Sequence, residues 1–482
     1  MGFCTKLDHA LPLRTRQFLA IVFGIVEMFF FGGIIFGFNA LTPVMQTEGI
    51  YGHLCNGTNS STSGCSEQTA MYGYAFTTYM VVQMVMLFIV GFLVDHVGLR
   101  IVKFGSSLLF SIGSVLFAVI NTTNSWLIFP AGSFICVGGM AGLICNFAFS
   151  KLFTKSSVFV LALITGSYDA SSSVFAFITL AYNAGFSYQL TFILIAAIGL
   201  AMNTFSSLFI ATYKLSDMSM FHSNEEKNLT MTNTGDDEEK NSSLAKSESS
   251  EDEIANIIRG CYPTALSSLR SFPFFMITCF FSFAMLRFTF FLAQFGFLTE
   301  YHFPTEPSIR AHLAQVISFA LAGGVIAGMA CGATVDFLRA RFNPMLNKSL
   351  SVGANKAVFW LRLCPHAIAM LVVTFAATVL SCLVFLPFVQ VYYVNYCFLV
   401  IMRGFLFSTI SSFIMTAFPI EQFGTLYGIS GTLAGAFSCI QYALLMADVR
   451  IANIVCFAFV LLMAFIPITV LSLSSRMWKR RQ

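Results

Sequence analysis

Apolar blocks of about twenty residues or more recur along this sequence and leave the chain few ways to fold. A bilayer-crossing helix needs about 20 predominantly apolar residues. Backbone in hydrocarbon must satisfy its own hydrogen bonds, so such blocks cross as helices. Twelve blocks fall at roughly 17–42, 73–94, 101–120, 126–148, 157–181, 189–211, 273–298, 311–334, 363–386, 391–417, 424–447 and 451–473. Of the 482 residues only 10% are charged, against about 25% in soluble domains. The expected fold class is an all-α membrane protein with twelve transmembrane helices in two six-helix halves. The block at 17–42 is too long, and its flanks too polar, for a cleaved signal peptide.

Lys and Arg set the orientation. With a cytoplasmic N-terminus, 22 of them fall on the inside segments and only Arg310 and Arg450 on the outside loops. Lys103 counts here among the inside charges, while Arg287 and Arg403 lie within spans. Both termini are expected in the cytoplasm. The first outside loop reads LCNGTNSSTSGC, with sequons at Asn56 and Asn59 between Cys55 and Cys65. An oxidising face makes a Cys55–Cys65 disulfide plausible; two free thiols are the alternative. The sequon-bearing loop points to the plasma membrane.

Residues 212–272 break the apolar pattern with alternating blocks of charge, as in SNEEKNLTMTNTGDDEEKNSSLAKSESSEDE. So few apolar residues cannot bury enough surface to fold alone. The segment reads as a disordered cytoplasmic linker between an N-terminal half, 1–211, and a C-terminal half, 273–482.

The halves repeat one another. After the second block comes GFLVDHVGLR, with Gly91, Asp95 and Arg100; after the eighth comes GATVDFLRAR, with Gly332, Asp336 and Arg341. Glycine, acid and arginine have the same spacing in both, and the copies are offset by 241 residues. This resembles the major facilitator superfamily, whose signature loop reads G-x-x-x-D-x-x-G-x-R. The first copy matches through Gly98; the second carries Arg339 where that glycine would be. The resemblance implies a major facilitator fold that rocks one half against the other around a substrate held near the midplane. It makes both sets of Gly, Asp and Arg a cytoplasmic gate.

Four charged residues lie deep in spans: Glu27, Asp169, Arg287 and Arg403. A charge at the bilayer centre costs about 2.5–3.5 kcal/mol on insertion scales, so these four should face a cavity or one another. The acids belong to the first half and the bases to the second. They could pair across the halves during transport, or statically within each half. In the stretch LITGSYDASSSVFAFITL, Thr165, Asp169, Ser172 and Ser173 share one helix face. That face offers a carboxylate and hydroxyls to a small polar solute, although serines in membrane helices also bond back to their own backbone. The candidate substrate-binding or gating residues are Glu27, Asp169, Ser172, Ser173, Arg287 and Arg403.

A narrower resemblance rests on VEMFFFGGIIFGFNAL with EGIYGHLC, on TGSYDASSSVF with LAYNAG, and on MRGFLFSTISSFIMTAFPIEQFGTLYG. These are similar to solute carrier family 43, which implies facilitative transport of purine nucleobases or of large neutral amino acids. Asp169 with Ser171–Ser173 looks like the nucleobase carrier; Gly166-Ser167-Tyr168, Leu286-Arg287 and Arg403-Gly404 look like the amino acid carriers. A non-transporting sensor on a carrier scaffold is a further reading. An enzyme is not expected, because the midplane charges are single and spread over four helices. No Cys/His cluster or phosphate-binding glycine loop points to a metal or a cofactor. The expected partners are a small-molecule substrate and the lipid bilayer; no nucleic acid or obligate protein partner is evident.

Overall fold

The computed structural model describes residues 12–55, 65–153, 157–211, 253–254, 256–353, 355–419 and 422–479. Eleven helical segments are long and apolar enough to cross a membrane. The fifth crossing makes twelve and escapes that count because it is divided into Ser157–Ala170 and Ser173–Asn183. This is an all-α membrane fold.

The first span is built from an α-helix over Leu13–Glu27, a π-turn over Met28–Gly32, a 3-10 turn over Ile34–Gly37 and an α-helix over Phe38–Thr47. Spans two, three, four and six are Ser66–His96, Leu99–Val119, Ile128–Phe147 and Tyr188–Phe209. Span seven is Phe272–Ala293. Span eight divides into Pro307–Leu321 and Gly324–Ser351, running well past residue 334. Spans nine, ten and twelve are Asn355–Leu383, Val389–Ala417 and Val449–Lys479; span eleven divides into Phe423–Ser438 and Ile440–Met446.

Burial separates central spans from peripheral ones. In its most apolar stretch the seventh span is 83% buried, against 28% for the twelfth and 33% for the sixth. The sixth exposes Leu190, Ile193, Leu194 and Ile198 on one face at helical spacing. Water would not tolerate that stripe, but lipid does. Within the first half, span three packs on four and six; within the second, span nine packs on ten and twelve. The halves meet where span two lies along eleven and span five along eight.

The expected linker ends sooner than residue 272. Residues 256–260 are helical, and Thr264 with Ser267 forms a capping box for the short helix Ala265–Leu269. Ile254 and Ile258 pack on Val358, and Tyr262 against Phe359 and Phe418. These three residues recur at four-residue spacing, an apolar stripe that the charged composition of the whole segment obscured. Residues 212–252 lie outside the described residues. Cys55 and Cys65 are joined in a disulfide; Asn56 and Asn59, between them, also lie outside the described residues.

Candidate functional site

Three interrupted spans converge at one level of the molecule. In the first, the α-helical ladder gives way around Gly33 and Gly37. A side chain on Gly33 would come within 2.7 Å of the Tyr168 carbonyl oxygen, and one on Gly37 would run into the carbonyl oxygen of Ser172. Those two carbonyls flank the break in the fifth span. There the hydroxyls of Ser171, Ser172 and Ser173 donate to the carbonyls three residues back, at 2.6, 3.0 and 2.8 Å. Such back-bonding competes with the helical ladder. In the eighth span the break falls at Ala322 and Gly323. A Cβ on Gly324 would lie 2.6 Å from that of Asp169. Irregular backbone inside a membrane is tolerated where it is buried in protein or lines a cavity, and carriers place their substrates at such discontinuities.

Asp169 sits at the centre of this convergence. Its Oδ1 accepts from Nε of Arg403, on the tenth span, at 2.8 Å, and both side chains are buried. The bridge joins the two halves. Arg403 Cζ stands 3.9 Å from the centroid of the Phe36 ring and 5.5 Å from that of Phe288. A desolvated guanidinium over a ring face gains about 2 kcal/mol or more. Both terminal nitrogens of Arg403, Nη1 and Nη2, are buried with no hydrogen-bond partner among the described residues. A guanidinium that spends only Nε on its carboxylate keeps a planar fork for a second acceptor.

The other midplane charges are arranged differently. Glu27 pairs within its own half: Lys103 Nζ donates to its Oε2 at 2.7 Å. Lys103 also donates to Asn146 Oδ1, and Asn146 Nδ2 to Glu27 Oε2 at 3.2 Å. Sequence counting assigned Lys103 to the inside charges, but the third span starts at Leu99, which buries Lys103 completely in its second turn. Arg287 turns into the second half, donating to Asn453 Oδ1 and to the Leu380 carbonyl, each at 3.3 Å. Asn453 is held in turn by Gln294. Of the pairings expected across the halves, the described residues form one, Asp169 with Arg403.

The hydroxyl face expected around Asp169 is turned inward. Thr165 Oγ1 donates to Leu161 O at 2.8 Å. Ser173 bonds its own helix, and Ser172 divides its proton between Asp169 O and Ser318 O, the latter at 3.2 Å. From that face the Asp169 carboxylate reaches Arg403 and the Ser172 hydroxyl reaches Ser318 O, both in the opposite half.

The two gate copies do not repeat in three dimensions. In the first, the chain turns at Gly98, whose φ of 109° suits glycine alone. A Cβ on Gly91 would lie 3.2 Å from the Gly424 carbonyl oxygen, in the opposite half. Arg100 donates from Nε to Ser207 O at 3.1 Å and from Nη2 to Ala211 O at 2.8 Å, holding the end of the sixth span. The Asp95 side chain lies outside the described residues. In the second copy, with Arg339 in place of the turn glycine, the helix runs on to Ser351. Gly332 faces open space, Arg341 is exposed, and Asp336 meets Arg339 one turn on, at 3.9 Å on the surface. Among the described residues the two copies therefore differ in local geometry.

Two cavities flank the bridge. Towards the termini, a slot of about 20 Å³ lies among Thr165, Tyr168, Asp169, Ser408, Ser411 and Tyr427, room for about one water. On the other side a cavity of about 170 Å³ opens between the ends of spans one, two, seven and eight. Three hydrogen bonds between the halves lie between it and the bridge: Asn39 Nδ2 to Leu292 O at 3.0 Å, Ser318 Oγ to Gly37 O at 3.3 Å, and Ser172 Oγ to Ser318 O. Spans two and eleven touch from one end to the other, from Thr78 with Tyr442, at 2.8 Å, to Gly91 beside Gly424.

Comparison with known proteins agrees with this architecture. The family model for the Major Facilitator Superfamily matches residues 28–442. Protein FMP42 of Saccharomyces cerevisiae is 23% identical over 470 residues, covering 89% of this chain and 88% of that protein. Equilibrative nucleobase transporter 1 of Bos taurus is 25% identical over 194 residues, 39% of each chain. Large neutral amino acids transporter small subunit 3 of Homo sapiens is 27% identical over 187 residues, 36% of this chain and 33% of that one. These last two matches span less than half of either relative.

Proposed function

The chain belongs to the Major Facilitator Superfamily, and on that premise we propose that it is a facilitative, sodium-independent carrier of purine nucleobases working by alternating access. The family makes it a transporter rather than an enzyme; the substrate is our reading. The observation that carries this reading is the buried Asp169–Arg403 bridge between the halves, with the Arg403 fork unpartnered beside Phe36 and Phe288. A guanidinium fork matches two adjacent ring acceptors, as it does on a purine edge. A carboxylate takes ring N–H donors, and aromatic side chains stack on a flat solute. The similarity to a nucleobase transporter supports the same class.

A second reading is uniport of large neutral amino acids. One observation favours it: the bridge supplies opposite charges, so a zwitterion could replace each partner with its own carboxylate and ammonium. The similarity to a large neutral amino acids transporter subunit points the same way. In either case solute and bridge compete for the same groups, and the solute releases one half from the other. A sensor without transport would keep the bridge and show no flux.

We place the protein in the plasma membrane with both termini in the cytoplasm, on the Lys/Arg asymmetry and the sequons at Asn56 and Asn59. Gly91, Asp95 and Arg100 then form the inner gate. The test is uptake of labelled adenine and labelled leucine side by side by cells expressing the protein, with sodium removed and external pH varied. Saturable adenine uptake without leucine uptake supports the first reading; leucine uptake alone transfers it to the second. Neither, with the protein at the surface, removes both.

A further inference from the structure

The 170 Å³ cavity on the face away from the termini lies outside the bridge and its seal. It is about ten times larger than a single water requires, and both halves line it. Its chemistry is lopsided. Thr42, Thr47, Thr69 and Thr299 spend their hydroxyl protons on carbonyls of the preceding turn, at 3.4, 3.0, 3.1 and 3.0 Å. Asn39 spends one of its two amide N–H donors on Leu292 O. The threonine oxygens keep their lone pairs while their protons are already used, and Asn39 keeps its carbonyl oxygen and one N–H. Glu300 adds a half-buried carboxylate, and Arg310 stands in the same lining as the charged donor.

We propose that this cavity is an outer docking site for solutes bearing an amine, either the ammonium of a zwitterion or an exocyclic ring amine. Glu300 and the oxygens around it take the amine, and Arg310 takes a carboxylate or a ring-nitrogen acceptor on the same molecule. The site lies on the route to the bridge, so the inference rests on the transport reading for its purpose. It does not rest on that reading for its existence. Asn39 belongs both to the cavity lining and to the seal below it. A solute oriented there stands one layer from the Asp169–Arg403 pair before the seal opens.

The test separates docking from transport. Ala311 lines the cavity on span eight, and Ala311→Cys in the full chain presents a thiol to an impermeant thiol reagent added from outside. A solute in the cavity slows that reaction by the factor 1 + [L]/Kd, about tenfold at nine times Kd. Leucine or adenine should protect, and N-acetylleucine, with its amine blocked, should not. Adding Glu300→Gln should abolish protection, while adding Asp169→Asn should leave it intact. Arg310→Lys, which keeps a cation, should retain most of it and shows that the cavity still folds. Protection that survives Glu300→Gln but disappears with Asp169→Asn would report events at the bridge and overturn the docking site. Absence of protection by any amine in the Ala311→Cys chain overturns it too. Protection without flux would keep the docking site and remove the transport reading.

Discussion

Asp169 and Arg403 meet at 2.8 Å in the interior, one from each half of the molecule. Removing one partner of a buried pair leaves an uncompensated charge, at a cost of about 3–5 kcal/mol. A carrier that only needed to be stable could omit both. An ion pair placed where three interrupted spans converge, with both terminal nitrogens of its guanidinium unspent, fits a lock that a solute can open.

The Gly324 backbone offers a way to disturb that lock without touching its charges. Its Cβ position is 2.6 Å from Asp169 Cβ and 3.0 Å from Oδ2, whereas a Cβ on Gly332 meets nothing. Gly324→Ala should reduce uptake per surface molecule by about tenfold or more, equivalent to roughly 1.4 kcal/mol. Gly332→Ala should leave uptake unchanged. Initial uptake rates normalised to surface biotinylation check both; equal effects would detach the eighth-span break from the site.

The Glu27–Lys103 pair should behave as scaffold. Glu27→Gln or Lys103→Met alone should each lower the melting temperature of the purified protein, because each leaves the other buried and unpaired. The double substitution should recover most of the loss. Variants that reach the membrane should keep the wild-type KM. A shifted KM with an unchanged melting temperature would return Glu27 to the transport path.

The gate copies should be unequal. Asp95→Asn should leave surface expression intact and cut net flux. Asp336→Asn, which breaks only an exposed pair with Arg339, should stay within about twofold of wild type, as surface pairs contribute little. Equal losses in the two variants would contradict the asymmetry that Gly98 and the unbroken helix through Arg339 impose.

Much of this was legible in the residues. Twelve apolar blocks announce twelve crossings, and Asp169 and Arg403 stood out because each is a rare charge amid long apolar runs. Their placement on opposite sides of the repeat allowed a pairing across the halves, but equally allowed static pairs within each half, and did not say which acid meets which base. Lys103 was hidden, because it stands a few residues from a span's end, where a charge reads as part of the loop. Its burial depends on helix three starting at Leu99 and on Asn146 and Glu27 arriving from two other spans. Arg287 was visible as a charge, but its partners are amides and a carbonyl, which leave no charge signal. The breaks in spans one and five had a signal in Gly32, Gly33 and Gly37 and in the triple serine. A uniform apolar count passes over both.

The most direct test is zero-trans uptake of the transported solute into liposomes containing purified wild-type, Asp169→Asn or Arg403→Lys protein, with melting temperatures measured in parallel. Asp169→Asn keeps the shape and removes the charge. Arg403→Lys keeps the charge and removes the fork and its stack on Phe36. Both variants should remain folded; Asp169→Asn should lose most of its flux or change its solute preference, and Arg403→Lys should raise KM by about tenfold or more, roughly 1.4 kcal/mol. Wild-type kinetics in both variants, at wild-type melting temperature, would contradict this and leave the bridge a structural tie.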